Sequence, residues 1–141
     1  MKNNSKIYFR YQVLTHSIEN RKINLITLSS YKDIQEDNEN KNTEELFPMY
    51  KSELPVKQFH QDKMIVFLSA RVHPGETPSS YAMRGIIKFL LSTKDIRAQT
   101  LRDNFVFKIV PMINPDGVFQ GYFRMDTLNQ NLNRYYNHPT I

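Results

Sequence analysis

An imidazole and a carboxylate stand three residues apart at His73 and Glu76, within the stretch Ala70-Arg71-Val72-His73-Pro74-Gly75-Glu76. Both are ligand types for a zinc-class cation. The Pro74-Gly75 spacer implies that a turn presents them, unlike the HExxH arrangement, in which one helix face carries the ligands. A polar loop with an incidental histidine has the same pattern, so the pair by itself leaves both readings open. His16, His60 and His138 show no ligand spacing and read as surface or packing histidines.

A second set lies further along, with Arg124 in GYFRMD and Asn133-Arg134 in NQNLNRYY. A guanidinium is a planar fork that binds a carboxylate through two parallel hydrogen bonds, and an asparagine adds a neutral donor. Together these residues have the chemistry to hold the free C-terminus of a peptide. The alternative is a turn bearing solvated arginines.

The elements that must position these groups can be read from pattern. INLITL, at Ile23 to Leu28, is rich in aliphatic and β-branched residues and follows the turn-like Glu19-Asn20; Tyr8 to Leu14 pairs with it as a hairpin. From about residue 30 to 62 the chain turns polar (DIQEDNENKNTEE) and carries Pro48 and Pro55, which predicts a long surface loop or insertion, disordered or variable. MIVFLS, at Met64 to Ser69, is a continuous apolar run and predicts a central strand buried on both faces of a parallel sheet. Thr77-Pro78 reads as an N-cap and first helical residue, with Ala82, Met83, Ile86, Ile87 and Leu90 at helical spacing behind it. Asp95 caps a second short helix carrying Ile96 and Leu101. Phe105 to Ile113 is then a further buried strand, ending in the turn signal Asn114-Pro115-Asp116-Gly117. This β-α-β order places ligand sites in the loops beyond the carboxyl ends of the strands, where His73 and Glu76 stand.

Composition narrows the class. A chain of 141 residues, 40% hydrophobic and 23% charged, suits one compact domain and argues against a disordered or membrane-embedded protein. The absence of cysteine excludes disulfides and thiolate metal ligands and suits a reducing compartment, most simply the cytosol. The first residues, MKNNSKIYFRYQ, hold no apolar run of signal-peptide length, so secretion is not expected. A net charge of +5 and a pI of about 9.4 would draw an acidic partner at long range. The lysines and arginines are scattered and form no basic stripe, which disfavours nucleic acid as that partner.

SARVHPGETPSS, LRDNFVFKIVPMINPDGV, GYFR and NLNR occur in the order and at the spacings of the M14 metallocarboxypeptidases, and the chain from about Tyr8 onward resembles the cytosolic carboxypeptidase branch of that family. RVHPGETPSS looks most like the tubulin-deglutamylating members, particularly the fifth type. The resemblance implies an α/β fold, a mixed and largely parallel sheet flanked by helices, of which residues 1–141 are a partial catalytic domain with a polar loop or insertion at about 30–62. It implies a Zn2+ cofactor held by His73 and Glu76, oxyanion stabilisation by Arg124, and a grip on the substrate carboxylate by Asn133 and Arg134. Many members carry an aspartate two residues before the Asn-Arg pair, orienting a zinc histidine; here Asn131 stands there, and its amide oxygen can accept the imidazole proton without the charge.

The family's third zinc ligand, a histidine, and its general-base glutamate come from segments beyond the Asn-Arg motif, so this stretch by itself is expected to have little or no peptidase activity. The implied function is removal of C-terminal or branch glutamates from protein tails such as those of tubulin, in the cytoplasm, with microtubules or cilia as associated structures and neither nucleic acid nor membrane as partner. The alternative is an inactive module that binds acidic tails.

Overall fold

The computed structural model describes residues 7–38, 57–60 and 62–137. Strands β1 (Tyr8–His16) and β2 (Lys22–Ser29) form the expected antiparallel hairpin, in register from Tyr8 opposite Ser29 to His16 opposite Lys22, with an irregularity between Val13 and Thr15. Asn20 takes the left-handed conformation in its turn (φ 62°), which asparagine tolerates better than most residues. β2 then pairs antiparallel with β6 (Phe105–Val110), and β6 pairs parallel with β5 (Met64–Ser69), giving the order β1-β2-β6-β5. The sheet is mixed, as expected. Its parallel pairing is confined to β5 and β6 among the described residues, so it is not largely parallel there.

Helix α1 (Thr77–Leu90) lays Met83, Ile87 and Leu90 along one face, and these meet Ile26, Leu28, Phe107 and Ile109 of the sheet. Leu28 and Ile109 are fully buried, each contributing about 1.5–3 kcal/mol relative to exposure. Helix α2 (Ile96–Asn104) packs against α1, β2 and β6. Asp95 caps it as read, its carboxylate accepting from the Arg97 amide at 2.9 Å. Buried Arg102 donates to the carbonyls of Leu90 and Ser92 at 2.5 and 3.0 Å, supplying partners that the end of α1 cannot find within its own helix.

Four expectations require correction. β5 is an edge strand among the described residues: Val66 and Leu68 pack on the core, whereas Ile65 and Phe67, pointing the other way, are 66% and 61% exposed. Apolarity of a run says that a face can be buried, not what lies against it. The N-cap of α1 is Glu76, not Thr77, and Glu76 makes no side-chain capping bond. Strand β6 ends at Val110, just before Pro111, which has no amide to continue the ladder. Asn114-Pro115-Asp116-Gly117 opens helix α3 (Pro115–Gln120), with the Asn114 side chain accepting from the Gly117 amide at 2.9 Å. Asn followed by Pro is a helix start as well as a turn signal.

The polar stretch at about 30–62 is in part ordered: β3 (Ile34–Asn38) pairs antiparallel with β4 (Lys57–Phe59) as a separate ribbon. Phe59 and Tyr31 pack edge-on against buried Tyr8, with ring centroids 5.3 and 5.8 Å away, and the Tyr8 hydroxyl accepts from the Lys57 amide at 2.9 Å. The loop or disorder expected over residues 39–56 lies outside the described residues, as does His138. Among the described residues no helix is long and apolar enough to cross a membrane.

Candidate metal and carboxylate site

The loops leaving the parallel pair β5 and β6 are laced together. Ile113 N–H donates to the Ala70 carbonyl and Asn114 N–H to that of Arg71, both at 3.0 Å. Arg71 sits at a φ of 56°, which curls the loop back on itself. Its Nε and Nη2 donate to the Pro74 carbonyl at 3.1 and 2.7 Å, and Nη1 to Ser80 Oγ at 2.8 Å. The loop is thereby tied to the first turn of α1. Asn114 Nδ2 donates to the carbonyls of Val72 (3.4 Å) and Met125 (3.3 Å), joining this loop to the segment after α3. Gly75 N–H donates to the Phe123 carbonyl at 2.8 Å; a Cβ at Gly75 would lie 2.7 Å from that oxygen, so only glycine permits the approach.

His73 is 5% exposed. Its Nδ1 lies 2.7 Å from Glu76 Oε1, and its Nε2 lies 3.0 Å from Asn131 Oδ1. The Glu76 side chain, which leaves the helix terminus uncapped, is turned to the ring instead. Asn131 Oδ1 also receives the Asn133 N–H at 3.2 Å, and this second donor fixes which end of the amide faces the histidine. Nε2 therefore carries its proton toward Asn131. In the neutral ring Nδ1 is then a bare lone pair facing a carboxylate oxygen, and two acceptors this close require a proton or a metal cation between them.

Asp126 shapes the loop that delivers Asn131. Its Oδ1 accepts from the Leu128 and Gln130 amides at 3.0 and 2.7 Å, and its own N–H donates to the Gln130 carbonyl at 3.0 Å. Asn133 and Arg134 follow in a single 3-10 turn (Leu132–Arg134) capped by Asn131; both are exposed, and Arg134 Nη1 donates to the Asn133 carbonyl at 3.0 Å. Half-buried Arg124 lines a cavity with Tyr122, Phe123, Met125, Asp126, Thr127 and Asn129. The structure thus joins His73, Glu76, Asn131 and Asn133 in one line of close polar contacts. Arg124 stands beside that line, tied to it through its neighbour Phe123 and Gly75.

Residues 1–138 match the model of the zinc carboxypeptidase family, peptidase M14. The chain belongs to that family. Among zinc carboxypeptidase relatives it is 45% identical over 136 residues to cytosolic carboxypeptidase-like protein 5 of Danio rerio, covering 95% of this chain and 15% of that protein. It is 45% identical over 133 residues to the human protein of the same name, at 94% and 15% coverage. Cytosolic carboxypeptidase 6 of Caenorhabditis elegans is 39% identical over 133 residues, covering 94% of this chain and 24% of the worm protein. The metallo-carboxypeptidase structure from Burkholderia cenocepacia superposes with a TM-score of 0.70 at 26% identity, over 94% of this chain and 29% of that one. The chain therefore spans only a small part of the relatives that it matches.

The donor set fits the zinc implied by that family. His73 Nδ1 and Glu76 Oε1 are facing acceptors of zinc-ligand type, and the proton on Nε2 is held by a partner, as is usual behind a metal-bound histidine. Two ligands do not complete a catalytic site, and among the described residues no group of three or more His, Cys, Asp or Glu is placed to hold a metal.

Sequence reasoning missed the residues that hold this zinc carboxypeptidase loop in shape. The Arg71 and Asp126 roles left no local signal; Asn114 did, as the residue before Pro115, by the same helix-start rule that was applied to Thr77-Pro78. Asp116, 4% exposed, accepts from Ser17 Oγ (2.6 Å), the Glu19 amide (3.0 Å) and Arg21 Nη1 (2.8 Å), pinning the β1-β2 turn to α3. Burial alone would push its pKa up, but these hydrogen bonds and the Arg21 charge together hold it below the usual carboxylate range.

Proposed function

We propose that this chain carries the first two zinc ligands and the carboxylate anchor of a cytoplasmic metallocarboxypeptidase that removes C-terminal or branch glutamates from acidic protein tails such as those of tubulin. The observation that carries the reading is the facing of His73 Nδ1 and Glu76 Oε1 at 2.7 Å, with the far side of the ring held by Asn131. Zinc bound there would supply a Lewis acid for the scissile carbonyl and a water of lowered pKa. Asn133 and Arg134 bind the terminal carboxylate and so position the last peptide bond, and Arg124 offers its guanidinium to the developing oxyanion. A third zinc ligand and a general base have to come from outside the described residues.

Glutamate as the residue removed is supported by the resemblance of RVHPGETPSS to the tubulin-deglutamylating members and by the net charge of +5, which favours an acidic tail at long range. Microtubules or cilia are the places where such tails would be met. The test is release of glutamate from a peptide ending in several glutamates, by the full-length zinc-loaded protein and by its Arg134→Ala variant. The reading expects release by the parent and a KM raised at least about 10-fold in the variant, since a charge-assisted pair contributes about 1.5–3 kcal/mol. Release of neutral C-terminal residues at equal rate would sink the glutamate specificity.

The net charge of +5 also suits a second reading, a non-catalytic module that holds acidic tails. Binding of the same peptide without any glutamate release by the full-length protein would select it.

A further inference from the structure

Asn131 Oδ1 receives two donors at once, His73 Nε2 at 3.0 Å and the backbone amide of Asn133 at 3.2 Å. Asn131 is also the cap of the turn that carries Asn133 and Arg134, its carbonyl accepting the Arg134 amide at 2.9 Å. The turn bearing both anchor residues hangs from this one side chain and its carbonyl, and the same side chain holds the ring of the metal-type histidine. We propose that the single amide oxygen of Asn131 couples the His73 ring to the Asn133-Arg134 anchor, so that a change at one is transmitted to the other.

The sign follows from the chemistry of a shared acceptor. A carboxylate at this position would offer two oxygens, one for each donor. The amide has one oxygen, and the stronger either donor becomes, the less electron density remains for the other. Withdrawing electron density from the ring at Nδ1 makes Nε2–H a stronger donor, which weakens the bond from the Asn133 amide and loosens the anchor turn. Removing the ring does the reverse. Coupling of this kind is reciprocal, so a ligand that reorders the turn alters the hold on the ring by the same factor. Asn131 acts here as a positioning residue: it touches neither substrate nor metal.

The metal half of this inference rests on the proposed zinc reading; the sharing of the oxygen does not. Amide NMR of Asn133 in the full chain separates the two. In metal-free His73→Ala the Asn133 amide proton is expected to move downfield, as its bond strengthens. In the parent chain, zinc alone is expected to move it upfield in step with the ring signals of His73. Asn131→Asp, which retains an acceptor for the ring, keeps zinc binding while zinc no longer shifts the Asn133 amide. Asn131→Ala raises exchange at that amide roughly fivefold, the loss of one ordinary hydrogen bond. An Asn133 amide that stays put both in folded His73→Ala and on zinc titration overturns the proposal. If it responds to His73→Ala while zinc leaves the ring signals unmoved, the shared oxygen stands and the zinc reading falls. If His73→Ala does not fold, Asn131→Asp decides, since an Asn133 amide that zinc shifts as strongly as in the parent overturns the coupling.

Discussion

The guanidinium of Arg71 holds the carbonyl of Pro74 with two of its nitrogens, at 3.1 and 2.7 Å, across the turn that carries His73. Its third nitrogen reaches Ser80, so one side chain joins the metal-type loop to the first turn of α1. A lysine has the charge but not the fork. Arg71→Lys is expected to weaken zinc binding by about 10-fold, the usual effect of losing a residue that orients ligands, with little loss of global stability. Competition against a chromophoric chelator measures it; unchanged affinity would remove Arg71 from the site.

Gly75 and Gly85 give opposite expectations for the same substitution. A Cβ at Gly75 would meet the Phe123 carbonyl at 2.7 Å, whereas one at Gly85, inside α1, meets nothing within 4 Å. Gly75→Ala should destabilise by about 1–3 kcal/mol through overpacking. Gly85→Ala should stabilise by about 0.5–1 kcal/mol, because alanine loses less backbone entropy in a helix. Urea unfolding of the pair checks both signs.

Asp116 sets an acid limit on the anchorage of the β1-β2 turn. Its folded pKa is depressed relative to an unfolded value of about 3.9, so its contribution is present above about pH 4 and is lost as pH falls through the folded pKa. Asp116→Asn removes charge-assisted bonds to Ser17 and Arg21 and is expected to lower stability at pH 7 by about 1–3 kcal/mol. Unfolding free energies measured from pH 7 to pH 2.5 should show the parent falling toward the variant at the acid end. Parallel curves for the two proteins would contradict the assignment.

Zinc should stabilise the folded chain through His73 and Glu76 together. At about a hundredfold excess over its Kd the metal adds about 2.7 kcal/mol by mass action, provided that it does not bind the unfolded chain. A thermal scan with and without zinc is expected to show a rise in Tm that a chelator reverses and that Glu76→Ala abolishes. A full zinc response in Glu76→Ala would place the metal elsewhere.

Much of this was legible in the linear chain because the signals were local. The β1-β2 hairpin, the Asp95 cap, the periodic face of α1 and the spacing of His73 and Glu76 all depend on residues within a few positions of one another, where backbone preference and side-chain reach decide the outcome. Family membership was legible for a related reason: the four motifs keep their order and spacing along the chain.

What the chain in one dimension could not specify was who lies against whom. The exposure of Ile65 and Phe67 depends on what covers their face of the sheet, which their own apolarity does not record. Arg102 serves the carbonyls of Leu90 and Ser92 from the following helix, and Asn131 meets His73 from 58 positions away. The sequence by itself determined the ligand types, their spacing and the elements that bear them. Only the tertiary structure decided that one amide oxygen serves both the histidine ring and the turn of Asn133 and Arg134, because that depends on the packing of two loops brought together by a parallel pair of strands.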